Sequence, residues 1–163
     1  MSNGMYAIAF DLDGVIADWS HRLPLIQPTN GMVSDWHSFY EAMPDDPTLP
    51  GAVVYNLLAN QSAMIQQAVI AKALNIDIPC VDVLTCRPEK MRAVTLEWFE
   101  RNGLMLPRAM HMRADDDDRP HAEIKVEMWR QHYESDELLG IFEDNAAAIA
   151  AFKELGVATF HVA

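Results

Sequence analysis

The amino-acid sequence predicts an α/β fold in which a mainly parallel sheet lies between two layers of helices. Short apolar runs alternate with helical patterns along the whole chain, which favours parallel strands joined by right-handed crossovers. The first run, Met5–Phe10, shows no polar alternation and is typical of a strand buried on both faces. Together these observations predict a Rossmann-like three-layer sandwich.

The first half of the chain combines this strand with an irregular insert and a helical region. Residues at about 20–50 are rich in turn formers, and within them Ser34–Tyr40 predicts a short capped helix with aromatic side chains on one side. We interpret the insert as a small cap or lid after the first strand; the alternative is a surface excursion that packs its own aromatic residues. Residues 50–75 carry two helical stripes with a break near Asn60–Ser62, which predicts two helices or one bent helix.

The second half of the chain predicts further strands that alternate with helices. A strand ends at Thr85, Pro88 begins a helix at the favoured first position, and Asn102–Gly103 closes that helix. The later elements, in order, are a strand over Ala109–Met112, a helix over His121–His132, a strand over Leu138–Phe142, a helix over Ala146–Leu155 and a strand over Val157–Val162. No interdomain linker separates them, so residues 1–163 are predicted to form a single domain.

The composition is that of an ordinary globular domain and excludes several classes of protein. Of the 163 residues, 50% are apolar and 22% are charged. No apolar segment approaches the roughly 18 to 20 residues of a transmembrane helix, and no leader peptide is evident before the first strand. The two cysteines make no disulfide framework, and the six histidines lack zinc-ligand spacing. We therefore expect a cytoplasmic protein with reduced thiols and no membrane partner.

The formal net charge of −12 limits the binding partners. A strongly acidic protein repels phosphate backbones at long range, so we expect no extended nucleic-acid-binding surface. Any nucleic-acid substrate would have to be held locally. A divalent cation would offset carboxylates that cluster.

Two aspartates, Asp11 and Asp13, follow the first strand directly, and Gly14 lets the chain turn away after them. In open α/β sheets, ligands bind at the C-terminal ends of the strands. The pair therefore lies where chemistry is expected, although an Asx turn that merely ends the strand would show the same pattern.

Polar residues of a matching kind lie at the ends of other strands. Thr85 ends the second strand with Arg87 close behind, Glu143 and Asp144 follow the fourth, and Lys125 lies on the helix before it. Clustered carboxylates raise one another's pKa unless a cation lies among them, and oxygen ligands suit Mg²⁺. The hydroxyl and cationic groups suit a phosphoryl group. The pattern predicts phosphoryl chemistry in which one carboxylate is a nucleophile and another moves protons.

The Asp-x-Asp-Gly-Val motif, the strand-ending threonine, the later lysine and the acidic pair occur in this order between Ala7 and Asp144. Together they resemble the haloacid dehalogenase (HAD) superfamily of phosphohydrolases. The resemblance implies that Asp11 is the nucleophile that forms an aspartyl-phosphate, and that Asp13 is first the general acid and then the base. It also implies that Thr85 hydrogen-bonds the phosphoryl group.

The same resemblance implies a role for Lys125 and a metal site. Lys125 would stabilise the nucleophile and the phosphoryl charge. Asp144 would bind Mg²⁺ together with Asp11 and the backbone carbonyl of Asp13. Glu143 would contribute through a water molecule or from behind the direct ligands.

The second half of the chain also resembles the 3′-phosphatase domain of phage polynucleotide kinase/phosphatase. The resemblance lies in Thr85–Pro88, in the stretch from Met112 to Arg119, in Lys125–Trp129 and in Phe160–Ala163. The glycine-rich phosphate loop of the kinase half is missing, so we expect a stand-alone phosphatase.

Three arginines, Arg87, Arg113 and Arg119, are candidates for binding a substrate phosphate. The alternative for Arg113 and Arg119 is that they pair with the acidic run Asp115–Asp118. The aromatic residues of the insert and its approach, which are Trp19, Trp36, Phe39 and Tyr40, either stack on a base or pack within the cap.

Three functions remain open at this point. The first is a Mg²⁺-dependent phosphatase that removes the 3′-phosphate from a polynucleotide or nucleotide end. The second is a 5′-(deoxy)ribonucleotidase, because that branch of the superfamily shares the motif and a small cap, and the acidic charge favours a small substrate. The third is a catalytically silent binding domain, against which the complete set of candidate residues argues.

Overall fold

A five-stranded parallel sheet forms the centre of the computed structural model, which describes residues 6–27, 34–67 and 79–162. Its strands are β1 (Ala7–Phe10), β2 (Cys80–Pro88), β3 (Met110–Arg113), β4 (Leu138–Glu143) and β5 (Ala158–His161). The order across the sheet is β3-β2-β1-β4-β5, and every neighbouring pair is parallel. This confirms the predicted parallel sheet, with the first strand at its centre.

Helices cover both faces of the sheet, as a three-layer sandwich requires. They are α1 (Leu23–Ile26), α2 (Trp36–Glu41), α3 (Gly51–Gln67), α4 (Arg92–Arg101), α5 (His121–His132) and α6 (Ala146–Glu154). Phe10 of β1 packs in one core with Tyr55 of α3 and Trp98 of α4. Ile124 of α5 and Phe152 of α6 build a second core, which contains the small side chains of β1. The apolar run of β1 is thus explained by burial on both faces.

The predicted break near Asn60–Ser62 is wrong, because α3 continues from Gly51 to Gln67. The polar side chains there are satisfied within the helix. The Asn60 amide donates to the Asn56 carbonyl oxygen at 2.7 Å, and the Gln66 amide donates to Ser62 Oγ at 3.0 Å. Local hydrogen bonds of this kind allow polar residues in a helix without ending it. Residues 68–75 of the predicted helical region lie outside the described residues.

The second strand is longer than predicted, and Pro88 ends it instead of beginning a helix. Pro88 is extended (φ −67, ψ 149) and pairs with Arg113 of β3, after a register shift that follows Thr85. The next turn is a 3-10 turn over Glu89–Met91, and α4 begins at Arg92. Pairing with β3, which is distant in sequence, therefore overrides the local helix preference of Pro88.

The segment predicted as a cap contains α1, α2 and two 3-10 turns, at Ser20–Arg22 and Met43–Asp45. The predicted capped helix is confirmed as α2, whose Asp35 side chain accepts a hydrogen bond from the Ser38 amide at 3.0 Å. Its function as a lid stays a prediction. Across the described residues, no helix has the length and apolar character needed to cross a membrane.

Candidate active site

The register of the sheet brings three of the predicted motifs to one edge. Phe10 of β1 pairs with Val83 of β2 and with Phe142 of β4, and the Asp11 amide donates to the Phe142 carbonyl oxygen at 2.9 Å. Asp11, Thr85 and Glu143 follow these paired positions within two residues. Residues separated by more than a hundred positions in sequence therefore meet at the C-terminal edge of the sheet, where ligands of such sheets bind.

Gly14 allows the first and fourth motifs to touch. Its φ is +86°, a conformation that side chains disfavour, and a Cβ atom added there would lie 1.9 Å from Asp144 Oδ2. The glycine of the motif is thus required both by the turn and by the closeness of the Asp144 carboxylate.

Lys125 is buried between two carboxylates, with an exposed fraction of only 1%. Its Nζ donates to Asp11 Oδ2 at 2.8 Å and to Glu143 Oε2 at 2.5 Å. Burial lowers the pKa of Lys125, but the charges of Asp11 and Glu143 outweigh it and leave the pKa above its ordinary value. Helix α5 therefore presents a charged ammonium group to the predicted nucleophile.

Burial raises the pKa of Asp11 to about 7, with Glu143 and Asp13 adding to the effect and Lys125 opposing it. Asp11, Glu143 and Asp144 each offer an oxygen, and these oxygens lie within 4.8 Å of one another. Hard oxygen donors in such a set fit Mg²⁺. Three carboxylates beside one ammonium group leave an excess of negative charge in this cluster, which a divalent cation would offset.

Glu143 uses both of its carboxylate oxygens within the protein. Oε2 accepts from Lys125, and Oε1 accepts from the Asn145 amide at 3.1 Å. The residue is fully buried. Glu143 therefore orients Lys125 and the start of α6, whereas Asp144 is only partly buried and lines the cavity beside Asp11.

Asp13 is held by two arginines, only one of which the sequence pattern pointed to. Arg87 donates to both carboxylate oxygens, at 2.9 Å and 2.7 Å, and Arg22 donates to Oδ1 at 2.8 Å. Burial raises the pKa of Asp13, but the charges and hydrogen bonds of Arg87 and Arg22 more than offset this and hold it below its ordinary value. Asp13 is therefore a carboxylate in this arrangement.

A second aspartate, Asp46 from the insert, joins the two arginines behind Asp13. Its side chain is fully buried. Each of its carboxylate oxygens accepts a hydrogen bond from Arg22 at 2.6 Å, and Oδ2 also accepts one from Arg87 at 2.8 Å. The Trp98 ring nitrogen donates a hydrogen bond to the Asp46 backbone carbonyl oxygen at 2.8 Å. The result is a buried cluster of Asp13, Arg22, Asp46 and Arg87 that connects the insert to the C-terminal edge of the sheet.

The sequence interpretation missed Arg22 and Asp46. One signal for Arg22 was available, since it is the only lysine or arginine before Lys72 in a strongly acidic chain. A lone arginine among acidic residues is well suited to pairing with a buried carboxylate, since charged side chains are buried only when they are paired. Asp46 gives no such signal, because Asp45 precedes it and only the fold distinguishes the buried residue from the exposed one.

Thr85 is fully buried, and its Oγ1 accepts from the Arg87 amide at 3.1 Å. With Asp11, Asp13, Arg87 and Asp144 it lines a cavity of about 200 Å³, to whose lining the insert also contributes. Cys86 borders this cavity, but burial raises the pKa of its thiol to about 12, which suits a neighbour of the site and not a nucleophile.

Arg113 and Arg119 line a neighbouring groove of about 310 Å³ and do not border the cavity that holds Asp11. Arg113 donates to the Cys86 carbonyl at 3.0 Å, to the Asp117 carbonyl at 2.8 Å and to the Tyr40 hydroxyl at 3.0 Å. Arg119 pairs with the Asp117 carboxylate at 2.7 Å. Arg113 also lies 3.9 Å from the Asp118 carboxylate. The pairing with the acidic run is thus present for both arginines, and substrate binding by either of them stays a prediction.

Comparison with solved structures identifies the fold. A chain of the Pnkp1/Rnl/Hen1 RNA repair complex is similar at a TM-score of 0.67 and 18% identity, over 99% of this chain and 43% of that one. A chain in a second structure of the Pnkp1/Rnl/Hen1 complex is similar at a TM-score of 0.66 and 18% identity, over 99% of this chain and 47% of that one. This protein thus spans less than half the length of those chains.

Smaller hydrolases show the same fold over most of their length. A haloacid dehalogenase-like hydrolase from Streptococcus pneumoniae is similar at a TM-score of 0.62 and 13% identity, over 98% of this chain and 85% of that one. A HAD-superfamily hydrolase from Geobacter sulfurreducens is similar at a TM-score of 0.55 and 14% identity, over 98% of this chain and 88% of that one. No protein-family model and no curated protein sequence matches the chain. The structural similarity establishes a HAD-like fold.

Proposed function

We propose that this protein is a Mg²⁺-dependent phosphatase that acts through an aspartyl-phosphate and removes the 3′-phosphate from a polynucleotide or nucleotide end. The observation that carries the proposal is the buried contact of Lys125 with Asp11, in a cavity that Asp13, Thr85 and Asp144 also line. A nucleophile beside a fixed cation and a hydroxyl donor is suited to phosphoryl transfer.

In the proposed first half-reaction, a carboxylate oxygen of Asp11 attacks phosphorus and the bond from phosphorus to the leaving oxygen breaks. Asp13 gives its proton to that oxygen, while Lys125 and Thr85 stabilise the phosphoryl oxygens. In the second half, water attacks phosphorus, Asp13 takes a proton from it, and the bond between phosphorus and Asp11 breaks. Phosphate leaves, and both aspartates return to their initial states.

Asp13 needs a proton to begin this cycle, yet the two arginines favour its carboxylate form. A substrate phosphate entering the cavity would compete for Arg22 and Arg87, because a dianion is the stronger partner for guanidinium groups. Loss of those hydrogen bonds from Asp13 would raise its pKa toward the range of a general acid. In this proposal, substrate binding itself prepares the acid.

Asp11 and Asp144 would hold the Mg²⁺ ion together with the backbone carbonyl of Asp13, with Glu143 behind them through Lys125. When bound, the ion would neutralise charge on the phosphoryl oxygens and keep Asp11 ionised. The excess of carboxylates over cations in this cluster supports the assignment.

Magnesium should stabilise the folded protein. At a hundredfold excess over the dissociation constant, a single bound ion adds about 2.7 kcal/mol to the unfolding free energy, which corresponds to a rise of several degrees in the melting temperature. Asp144→Asn should remove this rise, and Asp118→Asn, in an exposed acidic loop, should keep it. Thermal unfolding with and without Mg²⁺ measures both. An equal rise in the Asp144 variant would contradict the site.

The 3′-phosphate is supported by the residues that resemble the phage 3′-phosphatase and by the likeness to a chain of an RNA repair complex. The net charge of −12 favours the second candidate, a 5′-(deoxy)ribonucleotidase with a small substrate. A cytoplasmic location belongs to the proposal as well, and the free state of Cys80 and Cys86 is in keeping with it.

A substrate panel separates these functions. Phosphate release is measured with a 3′-phosphorylated oligonucleotide, a nucleoside 3′-monophosphate and a nucleoside 5′-monophosphate, each with Mg²⁺ and with EDTA. We expect the 3′-phosphates to be preferred, and EDTA to stop release until Mg²⁺ is added in excess. A preference for the 5′-monophosphate would replace the first function with the second, and release from none of them would indicate a silent domain.

A further inference from the structure

Aromatic side chains of the insert form one wall of the cavity that Asp11 also lines. Phe39 is its anchor: it is only 5% exposed, its ring contacts Trp19, Trp36 and Tyr40, and the Arg22 guanidinium lies 4.4 Å from its centroid. Phe39 therefore serves packing. The cluster holds its neighbours in place before any ligand arrives, which lowers the entropic cost of binding.

Trp36 differs from the other members of this wall because half of its surface (50%) is exposed. Its ring is stacked on that of Tyr40, with 6.0 Å between the ring centroids and an angle of 28° between the ring planes. Both residues border the cavity of Asp11 and also the adjoining groove. A large exposed ring fixed by packing and placed beside a reactive centre is a stacking surface, not a core residue.

The charges around the groove balance and so give an anionic occupant no net attraction. Three basic side chains and three acidic ones line it: Lys90, Arg113 and Arg119, and Asp115, Asp117 and Asp118. Additional phosphates of a long chain would gain no net attraction there. A flat, uncharged ring attached to the phosphorylated group has more to gain, because Trp36 offers it a π surface and His121 and Asn145 line the same cavity with polar groups.

From this arrangement we propose that Trp36 is the specificity-determining residue that stacks on the nucleobase next to the scissile phosphate. The inference rests on the proposed phosphatase function and adds the group that the enzyme recognises beside the phosphate. Trp36 selects phosphomonoesters that carry a nucleobase over sugar phosphates that lack one. Removing the ring weakens the binding of nucleotides and leaves the reacting groups in place.

The test compares Trp36→Ala with the wild type on adenosine 3′-monophosphate and on 1-O-methylribose 3-phosphate, which has the same sugar and phosphate but no base. Loss of one stacked base is expected to lower kcat/KM for the nucleotide by on the order of 10- to 100-fold, mainly through KM. The value for the sugar phosphate should stay the same, and Trp36→Phe should recover part of the loss. The matched control is His37→Ala, because His37 lies on the same helix and its side chain is 82% exposed. This variant should leave kcat/KM unchanged for both substrates.

Two outcomes overturn this proposal while the phosphatase function stands: an equal loss on both substrates, which indicates a structural role, and no loss on the nucleotide. A wild-type protein that releases phosphate from neither substrate overturns the proposed function, and this inference with it.

Discussion

Replacing Asp11 with asparagine is expected to abolish phosphate release, with kcat lower by about 10⁴-fold or more, the scale seen when a catalytic nucleophile is removed. The amide has nearly the volume of the carboxylate but cannot attack phosphorus. It also cannot form the covalent intermediate on which the proposed mechanism depends. Release of inorganic phosphate under saturating substrate and Mg²⁺ measures the effect.

Asp45→Asn is the control for this substitution, since the same exchange at an exposed aspartate should leave turnover unchanged. The Asp11 variant should remain folded, because Lys125 keeps its contact with Glu143. A loss of this size leaves far less than about one per cent of wild-type turnover. Turnover above about one per cent in Asp11→Asn would therefore rule out the aspartyl-phosphate.

Metal-free stability provides a second check on Asp11, with a defined sign. Its pKa in the folded protein is raised to about 7 from an unfolded value of 3.8. A carboxyl group whose folded pKa is raised stabilises the fold fully below the unfolded pKa, and this contribution is lost as the pH rises through the folded pKa. The wild type should therefore lose unfolding free energy relative to Asp11→Asn between pH 4 and pH 7, a difference that denaturant titrations detect.

The predictable part of this molecule is the part that local pattern determines. Helix α5 has the predicted bounds, His121–His132, because its apolar spacing is regular and Pro120 precedes it. The motif at Asp11 is visible locally because an apolar strand leads into two carboxylates. Choosing a site there over a simple Asx turn requires the matching residues at the other strand ends as well, which are Thr85, Lys125 and the pair Glu143 and Asp144.

Contacts between distant segments account for what the sequence did not reveal. Pro88 continues β2 because β3, more than twenty residues later, pairs with it. Arg22 and Asp46 meet across 24 positions, and Arg87 joins Asp46 across 41, so no local window contains the buried cluster. The insert shows only turn formers and an aromatic helix in the sequence, and its attachment to the C-terminal edge of the sheet is a property of the folded chain.

That attachment makes Asp46 more than a structural residue. It bonds the same two arginines that hold Asp13, so the orientation of the predicted general acid depends on a residue of the insert. Among the described residues, one guanidinium nitrogen of Arg22 and one of Arg87 are already buried without a hydrogen-bond acceptor. The cluster therefore has little capacity to compensate for the loss of another acceptor.

Asp46→Ala is expected to lower the unfolding free energy by about 3–5 kcal/mol, the cost of removing one partner from a buried ion pair. Two buried guanidinium groups would lose their shared carboxylate. Turnover should fall as well, because Arg22 and Arg87 would no longer be fixed around Asp13. Urea denaturation monitored by tryptophan fluorescence measures the first effect, and phosphate release from the folded fraction measures the second.

Asp45→Ala is the matched control, since the neighbouring side chain is exposed and its loss should change stability by no more than about 0.5 kcal/mol. The Trp98 hydrogen bond goes to the backbone carbonyl of Asp46 and survives the substitution, so the variant isolates the carboxylate. Adding Arg22→Met to Asp46→Ala removes one of the uncompensated charges and should restore part of the stability but none of the turnover. A stable and fully active Asp46→Ala protein would show that the buried cluster neither supports the fold nor positions Asp13.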